Sequence, residues 1–167
     1  PHTTESIEYA LRALDLSASD TILVHTSLKQ IGYTVGGPQA VILALMNIIG
    51  DNGTIVMPTF TNGAGYADPL DWQHPPVERE WAAHVRANLP PFDPATTPSV
   101  GMGAIAELFR TYPNAHRNHH PIVSYAAWGS NADFVIDGHT LGMMDGENSP
   151  LARIYDLDGK VLLLGVG

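Results

Sequence analysis

The chain has 167 residues, enough for one domain with a sizeable core and too few for two comfortable ones. Apolar residues make up 44% and charged residues 15%, no apolar run approaches the roughly 18 residues of a membrane span, and the absence of cysteine excludes a disulfide framework or a thiolate zinc site. Seventeen acidic residues against eight basic ones, a formal net charge of −9, argue against a nucleic-acid partner, which needs clustered Lys and Arg; the surplus serves solubility alone or steers in a cationic small molecule.

In chain order, "PHTTESIEYALRAL" is polar and helical rather than basic followed by apolar, so it is no signal peptide and a cytoplasmic location is expected. Its spacing predicts a helix from Thr4 to Leu14, capped by Thr3 or Thr4, with Ile7, Ala10, Leu11 and Leu14 on one face. "TILVH" is a β-branched run bounded by turn residues and reads as a buried strand. Pro38 suits the first turn of a helix through "QAVILALMNIIG", which Gly50 ends. "TIVMPTF" is a second strand, completing the βαβ grammar of an α/β protein.

Eight of the thirteen prolines then fall between Pro58 and Pro98. Trp72, Trp81, Tyr66 and Phe92 are unusual in a disordered linker, so the expectation is an ordered excursion over about 61–98 with a short helix near "VEREWAAHVRANL". "SVGMGAIAELFRTYP" predicts a helix ending before Pro113, "IVSYAAWG" a strand, "ADFVI" a short element, "SPLARIYDL" a helix and "KVLLLGV" a last strand. No internal repeat is visible. The expected fold class is α/β, a mixed or mostly parallel sheet flanked by helices.

Chemistry concentrates at strand ends. His25 closes the first strand, and Thr26, Ser27 and Leu28 offer hydroxyls and backbone N–H groups to a phosphate or a pantetheine amide, or make ordinary turn bonds. "GMGA" at Gly101–Ala104 is half a dinucleotide fingerprint without its third glycine, and reads better as a helix start that a ligand can approach closely. His116, His119 and His120 lack a metal-ligand spacing, so no metal is expected. One of them, with His120 preferred, binds or positions substrate instead. Glu147, in "DGENSPL", orients a base or binds an ammonium group, or else favours the positive end of a helix. Neither a GxSxG elbow nor a P-loop is present.

The ordered series "ILVHTSLKQIGYTVGG", "GTIVMPTFT", "DPLDWQHPPVEREW", "TPSVGMGAIAELFRTYPNAHRNHHPIVSYAAWG" and "GENSPLARIYDLDGKVLLLGVG" resembles the aminoglycoside 3-N-acetyltransferase family over nearly the whole chain. The resemblance implies acetyl-CoA as donor and a cationic 2-deoxystreptamine aminoglycoside as acceptor. Carried over by position, it implies that His25, Thr26, Ser27 and Leu28 meet coenzyme A on one side and Ser99, Val100, Gly101, Met102 and Gly103 on the other. Tyr66 and Asp68 would then face the acceptor, with His120, and Glu147 would be the glutamate of the "GExSPL" stretch. The catalytic histidine of the family belongs to a "TxxHxxE" stretch after the "LLLGVG" strand, so residues 1–167 are expected to be a single acetyltransferase domain incomplete at its C-terminus, with a homodimer kept open. A coenzyme A-dependent acyltransferase for another amine and a non-catalytic coenzyme A-binding remnant stand as alternatives.

Overall fold

A computed structural model describes residues 1–62, 66–68, 70 and 76–166. Helix α1 covers Thr4–Arg12, stopping short of the predicted Leu14. Thr3 caps it: its hydroxyl accepts from the Ser6 N–H at 3.2 Å while the Ser6 hydroxyl accepts from the Thr3 N–H at 2.8 Å. Strand β1 (Thr21–Thr26) leads through the short helix α2 (Leu28–Ile31) into α3 (Gly37–Ile49). As predicted, Pro38 sits in the first turn of α3 and Gly50 ends it. Strand β2 (Thr54–Pro58) follows, pairing parallel to β1, so α3 is the crossover of a βαβ unit.

The excursion carries a 3-10 turn (Arg79–Trp81) and helix α4 (Ala82–Asn88) where a short helix was predicted. Trp72 lies outside the described residues. Helix α5 (Gly103–Phe109) is shorter than its sequence pattern suggests: Phe109 is buried, and Arg110 to Tyr112 turn the chain back toward strand β3 (His116–Arg117). Strand β4 (Tyr125–Gly129), helix α6 (Ala132–Ile136), helix α7 (Pro150–Asp156) and strand β5 (Lys160–Leu164) complete the described elements.

The strand order is β3-β4-β2-β1-β5. β2, β1 and β5 run parallel, whereas β4 is antiparallel to β2 and β3 antiparallel to β4. The sheet is therefore mixed. Alternation sends Ile22, Val24, Ile55, Met57 and Leu162 to one face, against α1, α3 and α5. Leu23, Val56, Tyr125 and Ala127 go to the other face, against α6 and α7. Buried on both faces, β1 and β2 read as continuous apolar runs. On edge strand β5, Val161 and Leu163 stay 62% and 56% exposed. Among the described residues no helix is long and apolar enough to cross a membrane.

This topology gathers Thr26, Pro58 and Leu164 at one end of the sheet, and the antiparallel pairing brings Tyr125 and Arg117 to the same end. In open α/β sheets the carboxyl ends of the strands are where ligands bind.

Candidate functional site

At the end of β1, Ser27 donates its N–H to the Leu164 carbonyl at 3.0 Å and caps α2 with its hydroxyl, which accepts from the Gln30 N–H at 3.4 Å. Facing this turn is a second one. Val100 donates its N–H to the Phe60 carbonyl at 2.7 Å, and Gly101 and Gly103 take φ values of +75° and +84°, which bend the chain into α5. A Cβ placed at Gly103 would lie 3.8 Å from the Thr26 carbonyl, so the two turns meet.

Between them lies a cleft of about 840 Å3 lined by Thr26, Ser27, Leu28, Gly101, Met102 and Gly103, and also by Lys29, Tyr33 and Val166. A recess of about 130 Å3 continues from it to His25 and Pro58. The backbone N–H groups of Leu28, Gly101, Met102 and Gly103 meet no acceptor among the described residues. Free donors converging on a cleft suit an oxygen-rich or anionic ligand.

Ser99 and Val100 brace this site rather than line it. The Ser99 N–H and hydroxyl donate to one Glu107 oxygen at 2.8 and 2.7 Å, and Arg110 also donates to that carboxylate. Partial burial pushes the Glu107 carboxyl up, but the Arg110 and Ser99 hydrogen bonds outweigh it and hold the carboxyl at about 2. A depressed folded-state pKa contributes stability that is present above the unfolded value of about 4.5 and is lost as pH falls toward 2. Urea midpoints should therefore fall over that window, and less steeply in Glu107→Gln. Identical pH profiles for the two proteins would show that the carboxylate contributes nothing to the brace.

Arg117 is 8% exposed and has no carboxylate partner among the described residues. Its Nε donates to the Thr59 and Ser124 hydroxyls at 3.1 and 3.0 Å, Nη2 to the Thr59 carbonyl at 2.7 Å, and Nη1 to the carbonyls of Pro94 and Thr97. The guanidinium also sits 5.0 Å from the centre of the Phe92 ring. Burial, with the nearby Arg110 charge, lowers it to about 10, so it stays charged at neutral pH. Arg117 thus ties the returning end of the excursion to the rim of the sheet.

Tyr66 and Asp68 hold the excursion together. The Tyr66 hydroxyl donates to the Pro90 carbonyl at 3.0 Å and its ring meets Phe92 edge-on. Asp68 accepts from Arg86 at 3.1 Å and from the Leu70 N–H at 2.9 Å. Neither residue lines the cleft between the two turns.

The three histidines part company. His116 pairs with Asp133, His119 is exposed, and His120 is only 1% exposed. The Nδ1 of His120 accepts from the N–H groups of Ile122 and Val123 at 3.2 and 3.1 Å, which leaves its proton on Nε2, where no partner exists among the described residues. The ring stacks on His139 at 4.4 Å, and burial followed by the His139 neighbour lowers its pKa. In this structure the His120 ring presents almost no surface to solvent. Three His, Asp or Glu side chains do not come together as metal ligands among the described residues.

Glu147 is exposed, on the loop entering α7, and no hydrogen bond or ion pair engages it among the described residues. It stands two residues ahead of the cap residue Ser149, outside the first helical turn, so a dipole-capping role is not what the geometry provides.

Sequence reasoning marked Thr26–Leu28 and Gly101–Gly103, and the structure brings those segments face to face. It stopped short of Lys29, Tyr33 and Val166, which also line the cleft, and of the Arg117 and Glu107 braces. Lys29 and Tyr33 fall inside the "HTSLKQIGYTVGG" stretch, so a cation and an aromatic residue close behind the hydroxyl-bearing turn were the available signal.

A family model described as aminoglycoside 3-N-acetyltransferase matches residues 23–167. The chain is 43% identical to the SPbeta prophage-derived aminoglycoside N(3')-acetyltransferase-like protein YokD of Bacillus subtilis (strain 168), over 99% of this chain and 60% of that protein. It is 40% identical to aminoglycoside N(3)-acetyltransferase VIII of Streptomyces fradiae, over 99% of this chain and 56% of that protein. The crystal structure of YokD superposes with a TM-score of 0.92 over 99% of this chain and 66% of that one, at 42% identity. AAC-IIIb in a binary complex with CoASH gives 0.79 at 32% identity, over 96% and 58% of the two chains. AAC-VIa bound to sisomicin gives 0.85 at 32% identity, over 100% and 60%. The chain therefore spans between half and two thirds of the length of these relatives.

Proposed function

The chain belongs to the aminoglycoside 3-N-acetyltransferase family, and on that premise we propose that it serves the transfer of an acetyl group from acetyl-CoA to the 3-amino group of a 2-deoxystreptamine aminoglycoside, in the cytoplasm. The observation that carries this reading is the convergence of the Thr26–Leu28 and Gly101–Gly103 turns on one cleft with unbonded N–H groups. A family member of known structure holds CoASH, and another is bound to sisomicin.

In this reading the free N–H groups of Leu28 and Gly101–Gly103 receive the oxygens of the pantetheine arm and its phosphates, while Ser99 and Val100 fix the second turn. The His25 recess takes the acyl end. The co-substrate supplies an activated acetyl group as a thioester. Attack needs an unprotonated amine, and aminoglycoside amines are largely protonated at neutral pH, so a base has to accept a proton. The resemblance assigns that base to the histidine of the "TxxHxxE" stretch, which residues 1–167 do not contain, and assigns Glu147 the carboxylate that orients it or holds its cationic form. The Thr26 hydroxyl, beside the His25 recess, would stabilise the oxyanion of the addition step. The net charge of −9, with Glu147 and Asp68, favours a polycationic acceptor. Tyr66 belongs to the acceptor-facing excursion, and buried His120 supports the rim beneath it.

Calorimetry with coenzyme A and an acetyl-transfer assay comparing 2-deoxystreptamine acceptors with simple primary amines test this reading. Binding of coenzyme A with turnover confined to other amines would move the function to a different acyltransferase. In a chain extended through that histidine stretch, Glu147→Gln is expected to lower kcat by about 100-fold while leaving coenzyme A affinity within about twofold, as for a group coupled to the proton-accepting base. Unchanged kcat with a small loss of stability would reduce Glu147 to a loop residue.

A further inference from the structure

The loop between α6 and α7 carries Glu147, and packing does little to hold it. Leu141 and Met144 are 72% and 50% exposed. The backbone bonds within it are short turns, from the Met143 N–H to the Thr140 carbonyl at 3.1 Å and from the Ser149 N–H to the Gly146 carbonyl at 3.0 Å. A segment with few buried apolar contacts opens at low cost unless specific groups tie it down. Here the tie is His139. Its Nε2–H donates to the Met143 and Met144 carbonyls at 2.9 and 3.2 Å, which gathers the loop, and its ring stacks on His120 with centroids 4.4 Å apart.

Both rings are fixed as the same neutral tautomer. Asn118 Oδ1 accepts from the Tyr125 N–H at 3.2 Å, which turns its Nδ2 toward the Nδ1 of His139 at 3.0 Å, so that Nδ1 has to accept. The Nδ1 of His120 is already occupied by the Ile122 and Val123 N–H groups. A second proton on either ring would therefore sit on Nδ1, facing a donor. On His120 it would also create a buried charge, and two charged rings at this distance would repel. Among the groups packed around the pair, Asp145 favours a His120 cation, but burial and then His139 oppose it and prevail. Burial, and then Asp145, keep the Tyr125 hydroxyl of β4 protonated. Arg117, His119, Asp133 and Asp137 line a hollow of about 360 Å3 beside Asn118 and His139.

We propose that the His120–His139 stack is a pH-sensitive latch: with both rings neutral it holds this loop, and with it Glu147, against the start of β4, and uptake of a proton by the pair releases the loop. Because burial lowers the His120 pKa, the stability this ring contributes is complete above its ordinary value of 6.5 and is lost as pH falls below that value. The latch concerns the order of the loop and stands independently of the acetyl-transfer reading.

Hydrogen–deuterium exchange on the intact chain, with each rate divided by the intrinsic rate at that pH, tests it. Between about pH 7.5 and about pH 5.5 the amides of 138–148 should lose about tenfold in protection, while those of β1 and β2 keep theirs. His139→Gln retains a donor for the Met143 and Met144 carbonyls, and His120→Asn retains an acceptor for the Ile122 and Val123 N–H groups, but neither new side chain stacks or titrates. In both variants the loop should exchange at the higher pH as the parent does at the lower one, with no further change on acidification. His119→Gln, at the exposed neighbour, should behave as the parent does. Nitrogen NMR at the higher pH should find both parent rings protonated on Nε2. Parental loop protection in either latch variant, a parent loop indifferent to pH, a loss shared equally by β1 and β2, a ring protonated on Nδ1 instead, or a pH response abolished by His119→Gln would each overturn the latch.

Discussion

Arg117→Met is expected to destabilise the protein by about 3 kcal/mol, the cost of leaving buried polar groups without their partner. Methionine keeps much of the arginine stem's packing, so the loss is electrostatic. The Thr59 carbonyl, 2.7 Å from Nη2, and the Thr97 carbonyl both lose a charged donor. The Thr59 and Ser124 hydroxyls lose the Nε–H they share, and Phe92 loses the cation on its face. Arg117→Lys retains the charge but replaces a planar fork with a point, so it should recover only part of the loss. Coenzyme A affinity should fall with stability, because Thr97 stands two residues ahead of Ser99 and the second turn of the cleft follows directly. Urea denaturation and calorimetry on the three proteins check this. A methionine variant within about 0.5 kcal/mol of the parent would show that those carbonyls find other partners, and that Arg117 does not anchor the excursion.

The elements around α3 were legible in the sequence because each carries its own boundary. "TILVH" and "TIVMP" are apolar runs closed by turn residues, and Pro38 and Gly50 mark the ends of the helix between them. The sheet's outer strands were less legible. β3 is only His116–Arg117, too short for any periodicity, and it exists because β4 offers an antiparallel edge at Ala126 and Ala127. "IVSYAAWG" reads as one strand, yet the Ile122 and Val123 N–H groups bond to the His120 ring, so before Tyr125 only the Ser124 and Ile122 carbonyls carry the pairing on, to the Thr59 and Thr61 N–H groups.

The candidate site divides in the same way. Segments that supply backbone N–H groups show themselves through glycines and hydroxyl residues next to apolar runs. Side chains that brace them do not, because their partners are distant in sequence. Arg117 reaches partners 20 and 58 residues away, and several of those are carbonyls, which every residue type possesses. His120 reads from the sequence as a polar group available to substrate, whereas its ring is folded inward as a backbone acceptor. Burial of that kind is decided by packing among β4, His139 and the loop after α6, not by local pattern.

Gly165→Val is expected to weaken coenzyme A binding by tenfold or more and to cost on the order of 3 kcal/mol of stability, through two independent penalties. The first is conformational. Gly165 has φ +71°, a region that a β-branched residue enters only with strain. The second is steric. A Cβ there would lie 2.8 Å from the Ser27 carbonyl, 2.9 Å from Ile31 Cγ1 and 3.0 Å from the Ile31 N. Two of those three atoms are backbone and cannot rotate aside. The Ser27 turn is itself held to β5 by the N–H it donates to Leu164 at 3.0 Å, so relief has to come from separating α2 from the end of β5. That separation moves Ser27 and Val166, which line the cleft, along with the neighbouring Leu28 N–H. Gly165→Ala should show the same direction with a smaller strain, since it adds the clashing atom without the β-branch. Gly142→Ala is the control: its Cβ would meet nothing within 4 Å, and no change beyond about 0.5 kcal/mol is expected. If Gly165→Val binds coenzyme A like the parent, the contact between Gly165 and the Ser27 turn does not shape the cleft, and the site has to be sought elsewhere along the rim.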